Sequence, residues 1–450
     1  MEKVKVAVQQ NDGIADAQRI DEMVRETIRL LGGMESIVKP GDSVVIKGNF
    51  FAPYPPPISI DRRVVASLIR VIKEAGAGRV VLTEAVSIGT KLGRGTSTAW
   101  ILEELGVADA ARAQGAEVFC LEDDERMHIH VPDAKSIEYI DYPKCLYECD
   151  VLINLPCLKM HGMTLVTLGI KNFQGVFTDT QKYYAHRDDL EQKLVDVFKI
   201  RKPDLTFIDG LIAMEGNGSG EYGTPHIMNL VLASKDMVAA DAVGAALMGI
   251  KDPFDVTSIR IADYDGIGCG DLNKIEVVGG TIDEIAEDFK YPDKFSVPLD
   301  KRLLAAYKNV DVRIGGACRQ CWGLAWTIAK KLSKIENENF TLIIGVDPKI
   351  ANADKINLDN CIIFGDCANA CAGDVKEIRN RMLLEKKGCF ANGCPPYRPA
   401  SEIIDNFLIK RGFIEPGAGK KGAEDAVNRT FAYYKGIDPT WVPKSEQLNG

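Results

Sequence analysis

The chain has 450 residues, 46% of them hydrophobic and 26% charged, with a formal net charge of -9. That length supports two or three domains with a sizeable core, and the acidic balance argues against a general nucleic-acid or anionic-membrane surface. No apolar run reaches a membrane span and the start, MEKVKVAVQQ, does not read as a signal peptide, so a cytoplasmic protein is expected, whose twelve cysteines read as reduced thiols and metal ligands rather than a disulfide framework.

VKVAV at 4–8 predicts a first strand, and Ile20, Met23, Val24, Ile28 and Leu31 fall at helical spacing. PGDSVVIKGNF gives a turn and a strand over Ser43–Lys47. Val64, Val65, Leu68, Ile69 and Ile72 form one helical face, stopped by Gly76. RVVLTEA (79–85) and EVFCL (117–121) are further strands, with short helices at 99–105 and 108–114 between them. Strands alternating with helices imply an α/β fold, a mostly parallel sheet with flanking helices and right-handed crossovers. Residues 126–142 alternate as MHIHV and IEYI and read as an antiparallel excursion. A short helix at 143–149 leads into DVLINLPCLKMHGMTLVTLGIKNFQG (150–175), which begins as a buried strand and is stopped by Asn154 and Pro156. A helix at 188–200, the strand LTFID, a Gly-rich loop at 216–223, the strand NLVLAS (229–234), a helix at 237–248 and the strand KIEVVGG (274–280) complete this body.

Pro292, Asp293, Pro298 and Asp300 mark a boundary. The expected organisation is a first body over 1–300, with a further split near 150 left open, a smaller C-terminal α/β domain over 301–411, and a tail over 412–450. Phe431, Tyr433, Tyr434 and Trp441 are expected to hold that tail on the surface. The second body reads as a helix after Cys321, the strands FTLIIGV (340–346) and NCIIFG (360–365), and helices at 373–386 and 400–411.

The polar residues of the 150–175 stretch stand just past a strand end, where an open α/β sheet places its ligand. Lys47, Lys159 and Lys171 suit the carboxylate or phosphate of a small anionic substrate. His161 suits a general acid/base or a metal ligand, since its unperturbed pKa lies near neutrality; its plainer reading is a structural hydrogen-bonding residue. Lys159, His161 and Lys171 are therefore the candidate catalytic residues, with Lys47, Asn49, Asn154, Thr167, Asn172, Glu215, Asn217 and Gly218 as candidate substrate contacts. Glycines at 216, 218, 220 and 223 permit close backbone approach, yet the segment is neither a Walker A loop nor a dinucleotide fingerprint. Glu84 and Asp209 follow strands and suit proton or metal binding, and Asp236 suits a helix cap. His128 and His130 read as solvent-facing, and Cys145, Cys149 and Cys157 as buried thiols, with a metal site on one helical face as the alternative.

The second body carries seven of the twelve cysteines. Cys318-x-x-Cys321 sits before a helix whose N-terminus favours thiolates. Cys367 follows a strand end, and Cys394 lies in GCPP, where Gly393 allows a tight loop. One close pair plus two distant singles departs from the paired C-x-x-C of zinc sites and points to a 4Fe–4S cluster held by Cys318, Cys321, Cys367 and Cys394. Zinc remains the alternative metal, Cys371 and Cys389 the alternative ligands, and a second cluster stays open. Cys361, within a strand, reads as a buried thiol.

Asn154-x-Pro156, Lys159-x-His161, Thr167 and Lys171-Asn172-x-x-Gly175 together resemble a family known as domain of unknown function 362. VVIKGNF (44–50), HRDDLEQKLVDVFKIRKPDLTFIDG (186–210), MEGNGSGEYG (214–223) and LASKDMVAADAVGAALMG (232–249) fit the same resemblance, which covers roughly residues 40–280. Gly48 stands where the family usually has Pro. The resemblance implies an α/β fold, frequent association with iron–sulfur cysteines, and anaerobic or microbial redox metabolism. The expected function is an iron–sulfur oxidoreductase or electron-transfer protein. With no flavin or nicotinamide fingerprint, the electron partner is expected to be ferredoxin-like, and self-association into a homo-oligomer is left open. Two other readings stand beside it: a non-redox enzyme in the manner of the nickel-pincer lactate racemases, with a structural cluster, and a metal-cofactor or cluster maturation protein without turnover.

Overall fold

Val6 to Val8, Val44 to Ile46, Val80 to Leu82 and Val151 to Ile153 are runs of consecutive buried apolar residues, the pattern of a sheet covered on both faces. The computed structural model describes residues 3–87, 90, 96–186, 189–220, 223–292, 307–317, 319–394 and 398–447. It divides into two units, Met1–Lys182 with Asp189–Pro292 and Asp425–Gly450, and Tyr183–Asp188 with Asp293–Glu424.

The first unit contains β1 (Val4–Gln10), β2 (Ser43–Lys47), β3 (Arg79–Glu84), β4 (Glu117–Cys120), β5 (Arg126–His130), β6 (Tyr139–Pro143), β7 (Val151–Asn154), β8 (Cys157–His161), β9 (Leu165–Thr167), β10 (Leu205–Gly216), β11 (Gly223–Ser234) and β12 (Ile275–Val278). A ten-stranded sheet runs β12-β1-β11-β10-β7-β2-β3-β4, with β8 on β10 and β9 on β8. The stretch from β10 to β4 is parallel, whereas β11 is antiparallel to both of its neighbours. β5 and β6 form a separate antiparallel ribbon, as their alternation suggested. The helices Ala17–Leu30 and Arg62–Glu74 bury Ile20, Met23, Val24, Val64, Val65 and Leu68 in the core shared with β2, β3 and β7. The helix Met237–Leu247 is buried along its whole length, which fits its all-round apolar sequence. Asp236 caps it by accepting from the amides of Val238 and Ala239.

Three segments depart from the sequence expectation. LTFID and NLVLAS are only the cores of β10 and β11, which are 12 residues each; Gly210, which reads as a breaker, is absorbed by a register shift between Gly210 and Ile212. The Gly-rich stretch is therefore the turn of a long antiparallel hairpin. Residues 157–167 form the hairpin β8–β9, with Lys159 opposite Thr167 and His161 opposite Leu165. The tail expected from 412 is a helix, Ala418–Ile437, and residues 425–450 belong to the first unit. There Tyr434 and Trp441 are buried, the Trp441 indole donates to the Leu105 carbonyl at 3.1 Å, and Arg62 pairs with Asp438 at 2.9 Å.

In the second unit β13 (Val310–Ile314), β14 (Phe340–Ile344), β15 (Cys361–Phe364) and β16 (Cys389–Ala391) form a parallel sheet in that order. Leu342, Ile344 and Ile362 pack with Ala325, Ala329 and Leu332 of the helix Arg319–Leu332 and with Ile404 and Leu408 of the helix Arg398–Lys410. Ile343 and Ile363 pack on the opposite face with Val375, Ile378 and Met382 of the helix Gly373–Glu385. Among the described residues no helix is long and apolar enough to cross a membrane.

Candidate functional site

β7, β2 and β3 end side by side, with Lys47 in register with Asn154 on one side and Thr83 on the other. Their carboxyl ends therefore present Asn154, Lys47 and Glu84 as neighbours. Lys47 Nζ donates to Glu84 Oε1 at 2.6 Å, to the Gly48 carbonyl at 2.9 Å and to Asn172 Oδ1 at 3.2 Å. Glu84 also accepts from the amides of Ala85 (2.8 Å) and Phe50 (3.0 Å). Both side chains of this ion pair are buried. Asn172 Nδ2 donates to Asn154 Oδ1 (2.9 Å) and the Lys47 carbonyl (3.3 Å), while its Oδ1 accepts from Asn49 Nδ2 (2.9 Å). Asn49 Oδ1 accepts from Lys159 Nζ at 2.6 Å. Lys159 Nζ donates as well to the Ile58 carbonyl at 2.8 Å and stands 5.0 Å from the centroid of the Phe51 ring. Six residues from four separate stretches thus form one continuous buried network.

Two glycines make room for it. A Cβ on Gly175 would stand 2.7 Å from both Lys47 Nζ and Glu84 Oε1. One on Gly169 would stand 2.7 Å from Asp241 Oδ1 and 3.1 Å from Asn154 Nδ2. Asp241 accepts there from the amides of Gly169 (2.6 Å) and Ile170 (2.9 Å), which fixes the segment carrying Lys171 and Asn172. Gly48 donates its amide to the Thr83 carbonyl at 3.0 Å, a bond that proline at this position cannot make.

Burial pulls the amines of Lys47 and Lys159 below the usual lysine range. Lys171, half-buried, donates to Gln174 Oε1 at 3.4 Å; burial, then the charges of Lys47 and Lys159, pull its amine down to about 7. Lys182 is buried and donates to the Val86 carbonyl at 3.1 Å, and burial pulls it to about 8. Burial pushes Asp241 up to about 7. It also raises Asp209, helped by the nearby charge of Asp61; Asp209 accepts from the amides of Asp61 (2.8 Å) and Leu211 (3.0 Å). Thr167 Oγ1 and Gln174 Nε2 are buried with no hydrogen-bond partner among the described residues, which is uncommon for enclosed polar atoms.

His161 Nδ1 accepts from the amides of Met163 (2.9 Å) and Thr164 (3.2 Å). The neutral ring then carries its proton on Nε2, and protonating Nδ1 would break the turn. The adjacent Gly162 amide donates to the Gly218 carbonyl at 2.8 Å, so the β8–β9 turn and the Gly-rich turn meet. Glu215 is engaged elsewhere: it accepts from the Lys290 amide at 2.9 Å and lies 3.6 Å from His226 Nδ1. Asn217 is exposed. The structure therefore gathers Lys47, Asn49, Asn154, Lys159 and Asn172, sets Thr167 and Lys171 alongside, bonds Gly218 to Gly162, the neighbour of His161, and gives Glu215 other partners. Sequence reasoning gave Glu84 only a generic role and passed over Lys182, whose QKYYA context carries no signal.

In the second unit Cys367, exposed, follows β15, and Cys394, half-buried, follows β16. Their loops are tied by bonds from the Gly365 amide to the Ala391 carbonyl (2.8 Å), the Asp366 amide to the Gly393 carbonyl (3.1 Å) and the Gly393 amide to Asp366 Oδ1 (2.8 Å). Cys371 Sγ accepts from the Asp347 amide at 3.1 Å, just past β14. Cys321 is buried in the first turn of its helix rather than before it, and Cys318 lies outside the described residues. Cys389, an alternative ligand by sequence, opens β16 inside the core, as Cys361 opens β15, and burial pushes both thiols up to about 12. Burial likewise raises Cys145, Cys149 and Cys157. No group of three or more His, Cys, Asp or Glu stands in metal-holding geometry among the described residues.

A thylakoid-associated protein of Synechocystis sp. is 29% identical over 302 residues, 64% of this chain and 89% of that relative. Among solved structures, the lactate racemase apoprotein from Thermoanaerobacterium thermosaccharolyticum aligns at 10% identity and a TM-score of 0.39, over 55% of this chain and 58% of that one. A Thermotoga maritima protein aligns at 13% identity and a TM-score of 0.29, over 57% and 60%. This chain spans less than two thirds of each of those two. Residues 44–246, which hold every member of the lysine network and none of the second unit's cysteines, match the family described as a domain of unknown function (DUF362).

Proposed function

We propose that the protein binds a small anionic organic substrate at the lysine cluster and acts on it as an iron–sulfur oxidoreductase. The observation that carries this reading is the imbalance of charge: Lys47, Lys159, Lys171 and Lys182 gather where, among the described residues, Glu84 is the one carboxylate that accepts a hydrogen bond from Lys47 or Lys159, with Asp179 4.0 Å from Lys182. Enclosed amines in excess of carboxylates are held at a cost that an anionic ligand relieves. Thr167 and Gln174 hold polar atoms in reserve for such a ligand. Cys318, Cys321, Cys367 and Cys394 are proposed as ligands of a 4Fe–4S centre. Cys367 and Cys394 follow strand ends of a parallel sheet, and thiolates at such positions suit iron–sulfur ligation. The bound centre would supply single electrons, exchanged with a ferredoxin-like protein in the cytoplasm. In the first unit, Lys159 and Lys171 would hold the substrate's charge, and His161 would offer Nε2–H as a hydrogen-bond donor.

A second reading has one observation in its favour. An amine brought to about 7, as at Lys171, is matched to proton transfer at neutral pH, so a non-redox acid–base enzyme with a structural cluster stands as the alternative. Anaerobic purification followed by iron and sulfide analysis and a visible spectrum tests the first reading: a brown, iron-containing protein that bleaches on reduction supports it, and a colourless protein with zinc or no metal sinks it. An iron-loaded protein whose centre cannot be reduced would favour the second.

A further inference from the structure

We infer that the ligand of the lysine cluster is a compact dianion, a dicarboxylate or a phosphate monoester, and that it binds together with a proton taken from solvent. This rests on the anion-binding reading above and adds to it the ligand's charge and a proton count.

The argument is one of matching charges. Lys47 already has its counter-ion in Glu84 at 2.6 Å. Lys159 Nζ donates to an amide oxygen and a peptide carbonyl, and Lys171 Nζ to an amide oxygen. Two amines of the cluster thus face uncharged acceptors. The other titratable groups near them do not close the gap. Asp209 and Cys157 lie on the Lys159 side, but burial pushes both toward their neutral forms. Lys182, with Asp179 at 4.0 Å and Glu84 and Glu122 in range, adds a further amine. His161 is fixed with Nδ1 as an acceptor.

An enclosed ammonium without a counter-ion lowers its cost by giving up its proton. The ligand-free cluster therefore holds less charge than its amines could carry, consistent with the lowered Lys171. A monoanion is matched by the charge already there. A dianion needs both amines protonated, so the second proton moves from buffer onto Lys171 Nζ as the ligand enters. The additional oxygens of a dianion also find donors in the otherwise orphaned Thr167 Oγ1 and Gln174 Nε2.

Isothermal titration calorimetry on the full chain tests this, run at pH 8 in Tris and in HEPES with butyrate, succinate, glycerol 3-phosphate and inorganic phosphate. Succinate or the phosphates should bind at least about tenfold more tightly than butyrate, and the buffer dependence of the heat should report about one proton taken up per ligand at pH 8, falling away near pH 6. The succinate and phosphate arms separate the two sources of the dianion. In Lys171→Met the proton uptake and the preference for two charges should both be lost, with a single cooperative unfolding transition and an unchanged far-UV spectrum showing an intact fold; should that variant not fold, the wild-type comparison decides alone. Equal affinity for butyrate and the dianions, or binding without proton uptake, overturns the inference and leaves the anion site standing. Absence of binding by every anion overturns the anion-binding reading as well.

Discussion

Both candidate regions lie at the carboxyl ends of parallel strands, and the chain treats them in opposite ways. In the first unit the strand-end side chains Lys47, Glu84 and Asn154 are buried and bonded to one another through Asn172. In the second unit Cys367 is exposed and Cys394 half-buried, and the bonds that order their loops come from backbone and Asp366. A buried polar network has to be satisfied by the chain that builds it, so each member is tied to stability. An exposed thiol past a strand end, as at Cys367, contributes little to the fold. The first region should therefore lose stability when edited, and the second should lose only what it binds.

Glu84→Gln tests that contrast most severely. It keeps the shape but leaves the buried Lys47 ammonium without its counter-ion, a change worth about 3 kcal/mol of destabilisation. The urea midpoint should fall with an unchanged m-value. A loss below about 1 kcal/mol would mean that Lys47 is neutral in the folded protein and that the ion pair does not organise the site. Gly175→Ala comes next. Its Cβ would enter within 2.7 Å of both partners of the pair, and with backbone on one side and a buried ion pair on the other, about 2 kcal/mol is expected. An alanine variant as stable as wild type would show that the pair can move aside.

The pH profile sharpens the comparison further. Asp241 has its folded pKa raised to about 7, so the stability it contributes is full at acid pH and is lost as pH rises through 7. Lys171 and Lys182 have theirs lowered to about 7 and about 8, so their contribution is full at alkaline pH and is lost as pH falls through those values. Together they place a shallow minimum of stability near neutrality, each group contributing at most about 1.4 kcal/mol per pH unit. Denaturation at a series of pH values between 5 and 10 reads it out. Asp241→Asn should flatten the acid limb and Lys171→Met the alkaline limb; a wild-type curve with a maximum near 7 would count against both assignments.

How far the sequence announced these regions depends on the type of interaction. Apolar runs such as Val44 to Ile46 and Val151 to Ile153 disclosed the parallel sheet, because burial on both faces leaves a local signature. The Asn154, Lys159, Lys171, Asn172 and Gly175 pattern points to a stretch that supplies Asn154, Lys159 and Asn172 to the buried network. It did not disclose that Glu84, 37 residues from Lys47, closes the network, since a counter-ion supplied by a neighbouring strand has no fixed spacing. Nor did it disclose that the Gly-rich turn belongs to a 12-residue hairpin pair, because Gly210 looks like an end and is a bulge. The contacts of Glu215 with Lys290 and His226 likewise have no local sequence signature. β13 and β16 were passed over because VDVRI mixes charge into a short run and CFA is three residues long.

The smallest expected effect on stability is also the sharpest separation of the two regions. Cys361 sits fully enclosed in β15, and Cys361→Ala should cost about 1 kcal/mol by leaving a small void while bound iron is unaffected. Cys367 is exposed one turn past the end of the same strand, and Cys367→Ser should change stability of the metal-free protein by less than about 0.5 kcal/mol. If that thiolate ligates a cluster, iron content and visible absorbance should nevertheless collapse in the serine variant. One residue opens the strand and the other follows it, and they share a chemical type, so their surroundings are what differ. Iron lost in both, or in neither, would mean that exposure at the strand end is not what distinguishes a ligand from a core thiol.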